Sequence, residues 1–217
     1  SAPDVRKFII RRRAEEYDLV FTAPHRARVA ERTAGYSRVA MTSHRGSATF
    51  IVRRGSSIQS MPDLKKTRLA LPPASAIIHF MAIRTLLDSG LGPDTEVTIV
   101  GAESHNDAIM RVVEGKADAA AVGKAPLNSM DDDIKDQVTV FASSVTIPGF
   151  MIMAAPHIDT ALLNTLAQRL ETFAATEAGQ SYMNTTGYQG FEPIRDVHMQ
   201  EMDFYVERMF PSLDSPE

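Results

Sequence analysis

Apolar and polar positions along the chain switch repeatedly between a helical period and a strand period. Val5, Phe8, Ile9 and Ile10 stand against Arg6, Lys7 and Arg11, Arg12 and Arg13, and predict a short amphipathic helix over Val5 to Glu16. Asp18 to Thr22 reads as a buried strand that ends at Ala23-Pro24, with a helix from His25 to Thr33 after it. Strands follow at Ser37 to Met41 and at Ala48 to Val52, the second closing in the turn Arg53-Arg54-Gly55. Ser60 is placed to cap a short helical turn through Leu64. Thr67 to Leu71 is a strand broken by Pro72-Pro73, and Ser75 to Ser89 a strong helix opened by Ser75 and stopped by Gly90.

The same alternation continues to the end of the chain. Glu96 to Val100 is a strand, Asn106 to Glu114 a helix ended by Gly115, and Ala117 to Val122 a strand of small residues, which implies tight packing or a backbone close to a ligand. Strands are predicted at Val138 to Ala142 and from Phe150 to Ala155. A long helix spans Asp159 to Ala178 with Leu162, Leu163, Leu166, Leu170 and Phe173 on its apolar face. A short helix at Gln180 to Asn184 and a terminal helix over Val197 to Met209 complete the pattern, which is that of an α/β protein.

Composition narrows the function classes. The 217 residues suit one large domain or two small lobes, 44% hydrophobic and 23% charged, with a net charge of -4. That charge argues against a nucleic-acid partner, and the Arg11–Arg13 run is followed at once by Glu15 and Glu16, as on a solvated helix face. The sequence has no cysteine, hence no disulfide, thiolate nucleophile or cysteine-based metal site. The eleven methionines read as adaptable core filler.

Catalytic motifs are missing. His25, His44, His79, His105, His157 and His198 form no metal-ligand spacing, and there is no nucleophile elbow, phosphate loop or dinucleotide turn. Asp131-Asp132-Asp133 lacks the alternating ligands and closing glutamate of a calcium loop and reads as a solvated turn. The expectation is a protein that is not an enzyme and carries neither metal nor cofactor.

A run of short segments resembles the phosphate/phosphonate-type solute-binding proteins of ABC importers. Tyr17-Asp18-Leu19-Val20-Phe21-Thr22-Ala23-Pro24 is similar to the family's first strand-to-proline step, and Ser60-Met61-Pro62-Asp63-Leu64-Lys65 to its Ser-Leu-Ala-Asp-Leu-Lys turn. Leu71-Pro72-Pro73-Ala74-Ser75 takes the place of its Ser-Thr-Ser loop. Ser104-His105-Asn106-Asp107-Ala108 is similar to its Gly-Ser-His-Asp-Ala loop, and Glu114 to Val122 to its Asn-Gly-Lys-Val-Asp-Ala-Gly-Ala-Val stretch. Thr146-Ile147-Pro148-Gly149-Phe150 falls where the family returns to its first lobe. The strand-helix-strand with which the family normally opens has no counterpart ahead of Val5.

The resemblance implies a type II periplasmic-binding-protein-like fold: two α/β lobes joined by two crossing strands, near Phe50 and Phe150. Lobe I would be discontinuous, 1–50 plus 148–217, and lobe II would span 51–147. It also implies a ligand at the cleft between them and, residue by residue, a site drawn from Ser75, Ala76, Ile77, His105, Asp118, Thr22, His25, Gly149 and Phe150, with Arg26 beside them. Departures from the family change what that site can hold. Ser-Thr-Ser-Gly becomes Ser75-Ala76-Ile77-Ile78, the expected tyrosine falls near Ala27, and the Asn-Asp of the return becomes Gly149-Phe150. A hydrogen bond to a charged group contributes about 1.5–3 kcal/mol, so losing two or three weakens a phosphonate dianion by roughly 3–9 kcal/mol. The expectation is a more apolar cleft that keeps anion capacity at Ser75, in a periplasmic or extracytoplasmic protein serving an ABC permease. The same clamp as a ligand-sensing module of a signalling protein is the alternative.

Overall fold

A computed structural model describes residues 17–210. The helix predicted over Val5 to Glu16 and the Arg11–Arg13 run lie outside them. In chain order the described elements are β1 (Leu19–Thr22), α1 (Pro24–Ala34), β2 (Ser37–Thr42), β3 (Ala48–Arg53), β4 (Arg68–Leu71), α2 (Ile77–Asp88), β5 (Thr98–Gly101), α3 (His105–Val113), β6 (Ala119–Gly123) and the short α4 (Lys124–Asn128) and α5 (Asp132–Lys135). Then come β7 (Val138–Ser143), β8 (Met151–Ala154), α6 (Thr160–Phe173), α7 (Glu177–Thr186), β9 (Phe191–Glu192), α8 (Asp196–Gln200) and α9 (Asp203–Met209). Most of the elements predicted from periodicity are observed, with α4, α5 and β9 in addition, and the fold class is α/β.

The chain forms two compact units. The first runs to Arg45 and resumes at Ile147, and the second is the continuous stretch Gly46–Thr146. In the first unit the strand order is β1-β8-β2-β9, with β8 antiparallel to both β1 and β2. One face of this sheet packs Val20, Met41, Met151 and Met153 against Ala27, Ala30, Tyr36 and Met199. The other packs Val39, Ala40 and Ala154 against Leu163, Leu166 and Leu170 of α6. Six of the eleven methionines, Met41, Met81, Met151, Met153, Met199 and Met202, are buried as the expected core filler, and the other five are not.

In the second unit the order is β5-β4-β6-β3-β7. Strands β4, β5 and β6 run parallel, and β3 is antiparallel to its neighbours β6 and β7. Ala119, Ala120 and Ala121 of β6 are fully buried between β4 and β3. Of the two explanations for that small-residue strand, packing on both faces is the one observed.

Four local expectations need correction. Ser75 does not cap α2: the capping position is Ala76, in extended backbone, after a turn closed by Ala76 N–H donating to the Pro73 carbonyl at 2.9 Å. The long helix over Asp159 to Ala178 is broken at Ala174–Thr176, where Thr176 caps a new helix by accepting from Gly179 N–H. Gly179 permits the break because a Cβ there would overlap the Phe173 carbonyl. Leu162 lies on the outer side of α6, 47% exposed, instead of on its apolar face. The terminal helix is divided at Glu201–Met202 by i→i+3 bonds, Met202 N–H to Met199 and Tyr205 N–H to Met202, and that tighter turn stacks buried Met199, Met202 and Tyr205 at a spacing of three. Asp131–Asp133 is solvent-facing, as expected, but enters the one-turn α5, where Asp132 pairs with Lys135.

Candidate functional site

In an open α/β sheet, ligand-directed groups gather beyond the carboxyl ends of parallel strands, where the chain turns into helices. The second unit has such an end. Leu71 closes β4 and passes through Pro72–Ala76 into α2, Gly101 closes β5 and leads to α3, and Gly123 closes β6 and leads to α4. Ser75, Ala76, Ile77 and His105 all belong to this end. Ser75 is exposed, and Ala76 and Ile77 are partly so. The capping position of α2, Ala76, offers no side-chain cap to the first backbone N–H groups of the helix.

His105 is the best-defined group of the set. It is the first residue of α3, whose start is fixed reciprocally: the Ser104 hydroxyl accepts from Asp107 N–H at 3.1 Å, and the Asp107 carboxylate accepts from Glu103 N–H at 2.9 Å. The Glu103 N–H and then Arg111 hold the Asp107 carboxyl below its usual range. His105 Nδ1 accepts from Gly123 N–H at 3.2 Å, which ties the front of α3 to the end of β6. A neutral imidazole that accepts at Nδ1 carries its proton on Nε2. Burial lowers the pKa of His105, so this neutral donor form prevails at neutral pH.

Asp118 lies at the other end of the same sheet. It precedes β6 and sits beside the start of β4, three residues and so about 10 Å of strand from Leu71. Both its oxygens are committed to Arg68: Oδ2 accepts from the Arg68 N–H at 2.8 Å and from Nε, and Oδ1 from Nη2 at 2.9 Å. The Arg68 hydrogen bonds hold its carboxyl below the usual range. The structure therefore separates Asp118 from Ser75 and His105 and makes it a clamp between strands. Asp118→Asn should leave ligand affinity within about twofold of the parent and lower the melting temperature by only a few degrees, since exposed ion pairs contribute about 0.2–1 kcal/mol. Calorimetric titration and a melting curve of the same variant check both halves.

In the first unit Thr22 ends β1, His25 stands in the first turn of α1, and Gly149-Phe150 leads into β8, whose first residue Met151 pairs with Thr22. These four residues gather at one end of the sheet, but only Phe150 presents much surface, at 38% exposure. Thr22 is buried. His25 is turned into the interior, 2% exposed and stacked on Phe210 with centroids 6.5 Å apart, so it offers solvent no group. Neither of its ring nitrogens has a hydrogen-bond partner among the described residues, and burial, reinforced by Arg26, pushes its pKa down to about 3. Gly149 is required by space. A Cβ there would overlap the Thr42 hydroxyl and carbonyl and stand 2.6 Å from the His44 carbonyl.

Residue-level reasoning missed the neighbours of Phe150. Its ring lies 5.4 Å from Phe21, 6.3 Å from Tyr188 and 6.4 Å from His44, and His44 stacks on Tyr188 at 5.0 Å. Phe21 could have been found: it lies between Val20 and Thr22, both buried, so the strand period turns it outward. His44 and Tyr188 are far apart in sequence, and no local signal joins them.

The family model for the periplasmic substrate-binding protein of phosphonate ABC transporters matches residues 1–199. The chain belongs to this family. It is accordingly a periplasmic substrate-binding component of an ABC transporter and not an enzyme. Among solved structures, XAC2383 from Xanthomonas citri, bound to ATP, is 22% identical with a TM-score of 0.77, over 96% of this chain and 84% of its own. PhnD1 from Prochlorococcus marinus, in complex with methylphosphonate, is 14% identical with a TM-score of 0.75, over 94% and 82%. The periplasmic aliphatic sulphonate binding protein SsuA from Escherichia coli is 16% identical with a TM-score of 0.67, over 97% and 80%. These likenesses show the fold. A search of curated proteins finds no match. Among the described residues no helix is long and apolar enough to cross a membrane, and no cluster of histidine and carboxylate side chains could hold a metal ion.

Proposed function

We propose that this chain captures a small anion of the phosphonate type, closing its two units on it, and hands it to an ABC permease. The anion is received by the Ser75 hydroxyl, the leading N–H groups of α2 and the Nε2–H of His105. The observation that carries this reading is the bond from Gly123 N–H to His105 Nδ1, which fixes a neutral histidine as a donor beside two strand-to-helix turns. Two relatives of the same fold support the ligand class, since ATP and methylphosphonate both present oxygen atoms on phosphorus.

The test is calorimetric titration with methylphosphonate, phosphate, methanesulfonate and acetate, with thermal shift in parallel, because a ligand that binds only the folded state raises its stability. Methylphosphonate or phosphate should bind. His105→Asn retains an acceptor near the Gly123 N–H and lacks the distal donor, so it should fold normally and bind roughly 10- to 150-fold more weakly. Ser75→Ala should weaken binding in the same direction. No heat and no shift with any of the four anions sinks the anion reading.

A further inference from the structure

The first unit exposes an aromatic surface that its fold does not need. Phe21 is 46% exposed and Phe150 38%, and with Tyr188 and His44 they form one continuous patch in which Phe21 and Tyr188 are 6.1 Å apart. Tyr182 and Phe173 continue it, at 6.3 and 6.1 Å. The four rings come from the ends of all four strands: Phe21 from β1, Phe150 just ahead of β8, His44 just after β2 and Tyr188 just ahead of β9. Both faces of the sheet bury apolar clusters, and the other exposed large apolar residues of the unit, Leu19, Leu162 and Val197, have no ring contact with these four, so a contiguous group of rings marks a surface kept for contact.

The chemistry of the patch selects the contact. Thr42 Oγ1 lies 3.0 Å from His44 Nδ1, and burial lowers the pKa of His44, so its ring stacks as a neutral heterocycle. Offset and tilted neutral rings suit another flat apolar ring. The same patch includes Phe150, which stands where the chain has just returned to the first unit.

We infer that Phe21, His44, Phe150 and Tyr188 form a stacking subsite for an aryl or heteroaryl group, and that the physiological ligand is an anion carrying such a ring. The second half rests on the anion reading above, and the first does not. The test compares phenylphosphonate with methylphosphonate by titration and follows the aromatic NMR signals of Phe21, Phe150 and Tyr188 with benzyl alcohol, a ring without an anion, and with tetramethylammonium.

The parent protein should bind phenylphosphonate at least about tenfold more tightly than methylphosphonate, of the order of one good ring contact. Phe21→Ser and Tyr188→Leu, both checked for native circular dichroism, should each shrink that ratio. Equal affinities in the parent, or a ratio unmoved by both variants, overturns the subsite. So does a response of the rings to tetramethylammonium with none to benzyl alcohol. If neither phosphonate binds, the anion reading alone fails, and benzyl alcohol decides: shifted ring signals sustain the subsite, unshifted ones end it.

Discussion

Gly149→Ala should lower the stability of the protein by about 1–3 kcal/mol, as overpacking of a tight site does, and the melting temperature by roughly 2–10 °C. The added methyl has nowhere to go. Two of the three atoms it would meet are backbone carbonyl oxygens, those of Thr42 and His44, which cannot rotate away as a side chain does. Relief requires the Thr42–His44 segment to move, and that segment is bound to the site twice. Thr42 N–H donates to the Phe150 carbonyl at 2.8 Å, and the Thr42 hydroxyl donates to the same carbonyl at 3.5 Å. Affinity for an anion that carries a ring should therefore fall together with stability, because Phe150 and His44 shift as a pair. Differential scanning calorimetry with and without phenylphosphonate separates the two losses. An unchanged melting temperature shows that the segment yields freely and that the tight packing around Gly149 is not a constraint.

Acid should destabilise the protein well above the pH at which carboxylates titrate, and His25 should be the main reason. An exposed histidine titrates near 6.5, and burial brings His25 down to about 3 in the folded chain. The sign follows from those two values. Above pH 6.5 both the folded and unfolded forms are neutral and His25 imposes no slope. Between 6.5 and 3 the unfolded chain takes up a proton that the folded chain refuses, so stability declines by about 1.4 kcal/mol per pH unit. From pH 6.5 to 4.5 this amounts to roughly 3 kcal/mol, a large share of a typical stability of 5–15 kcal/mol. His25→Leu removes the proton acceptor and also two ring nitrogens that have no partner among the described residues, so it should be no less stable at neutral pH and distinctly flatter in acid. Urea unfolding of parent and variant at pH 7, 5.5 and 4.5 gives the comparison. Parallel decline of the two proteins assigns the acid sensitivity to other groups.

Local elements were legible because their signals are local. The strand at Leu19–Thr22 and the helix after Pro24 follow from periodicity and one proline, and Gly35, Gly115 and Gly187 terminate helices in the left-handed conformation that glycine adopts without cost. The order of short motifs was enough to indicate the family. It was not enough to orient side chains. Asp118 and His105 lie in equally similar motifs, yet one faces the amino end of the parallel strands and the other their carboxyl end, a distinction that exists only after the strands pair. His25 reads as a polar residue at a strand end, but the helix turn it belongs to carries it inward against Phe210, 185 residues later in the chain. The break before α7 depends on Gly179 meeting a carbonyl of the preceding helix, which no composition rule anticipates.

The second unit begins and ends at one point of its own sheet. Ser144 N–H donates to the Ala48 carbonyl at 2.9 Å, and Ala48 N–H donates to the Ser144 hydroxyl at 2.9 Å. A stretch of some hundred residues is thereby stitched shut at its base, and to the chain that surrounds it the whole stretch amounts to a short excursion. The entropy of closing that excursion is met inside the inserted segment when β3 and β7 pair, before any strand of the discontinuous unit has to find its partner. During synthesis the segment can mature as soon as Thr146 clears the ribosome, with β8 arriving afterwards to unite β1 and β2 around a finished module.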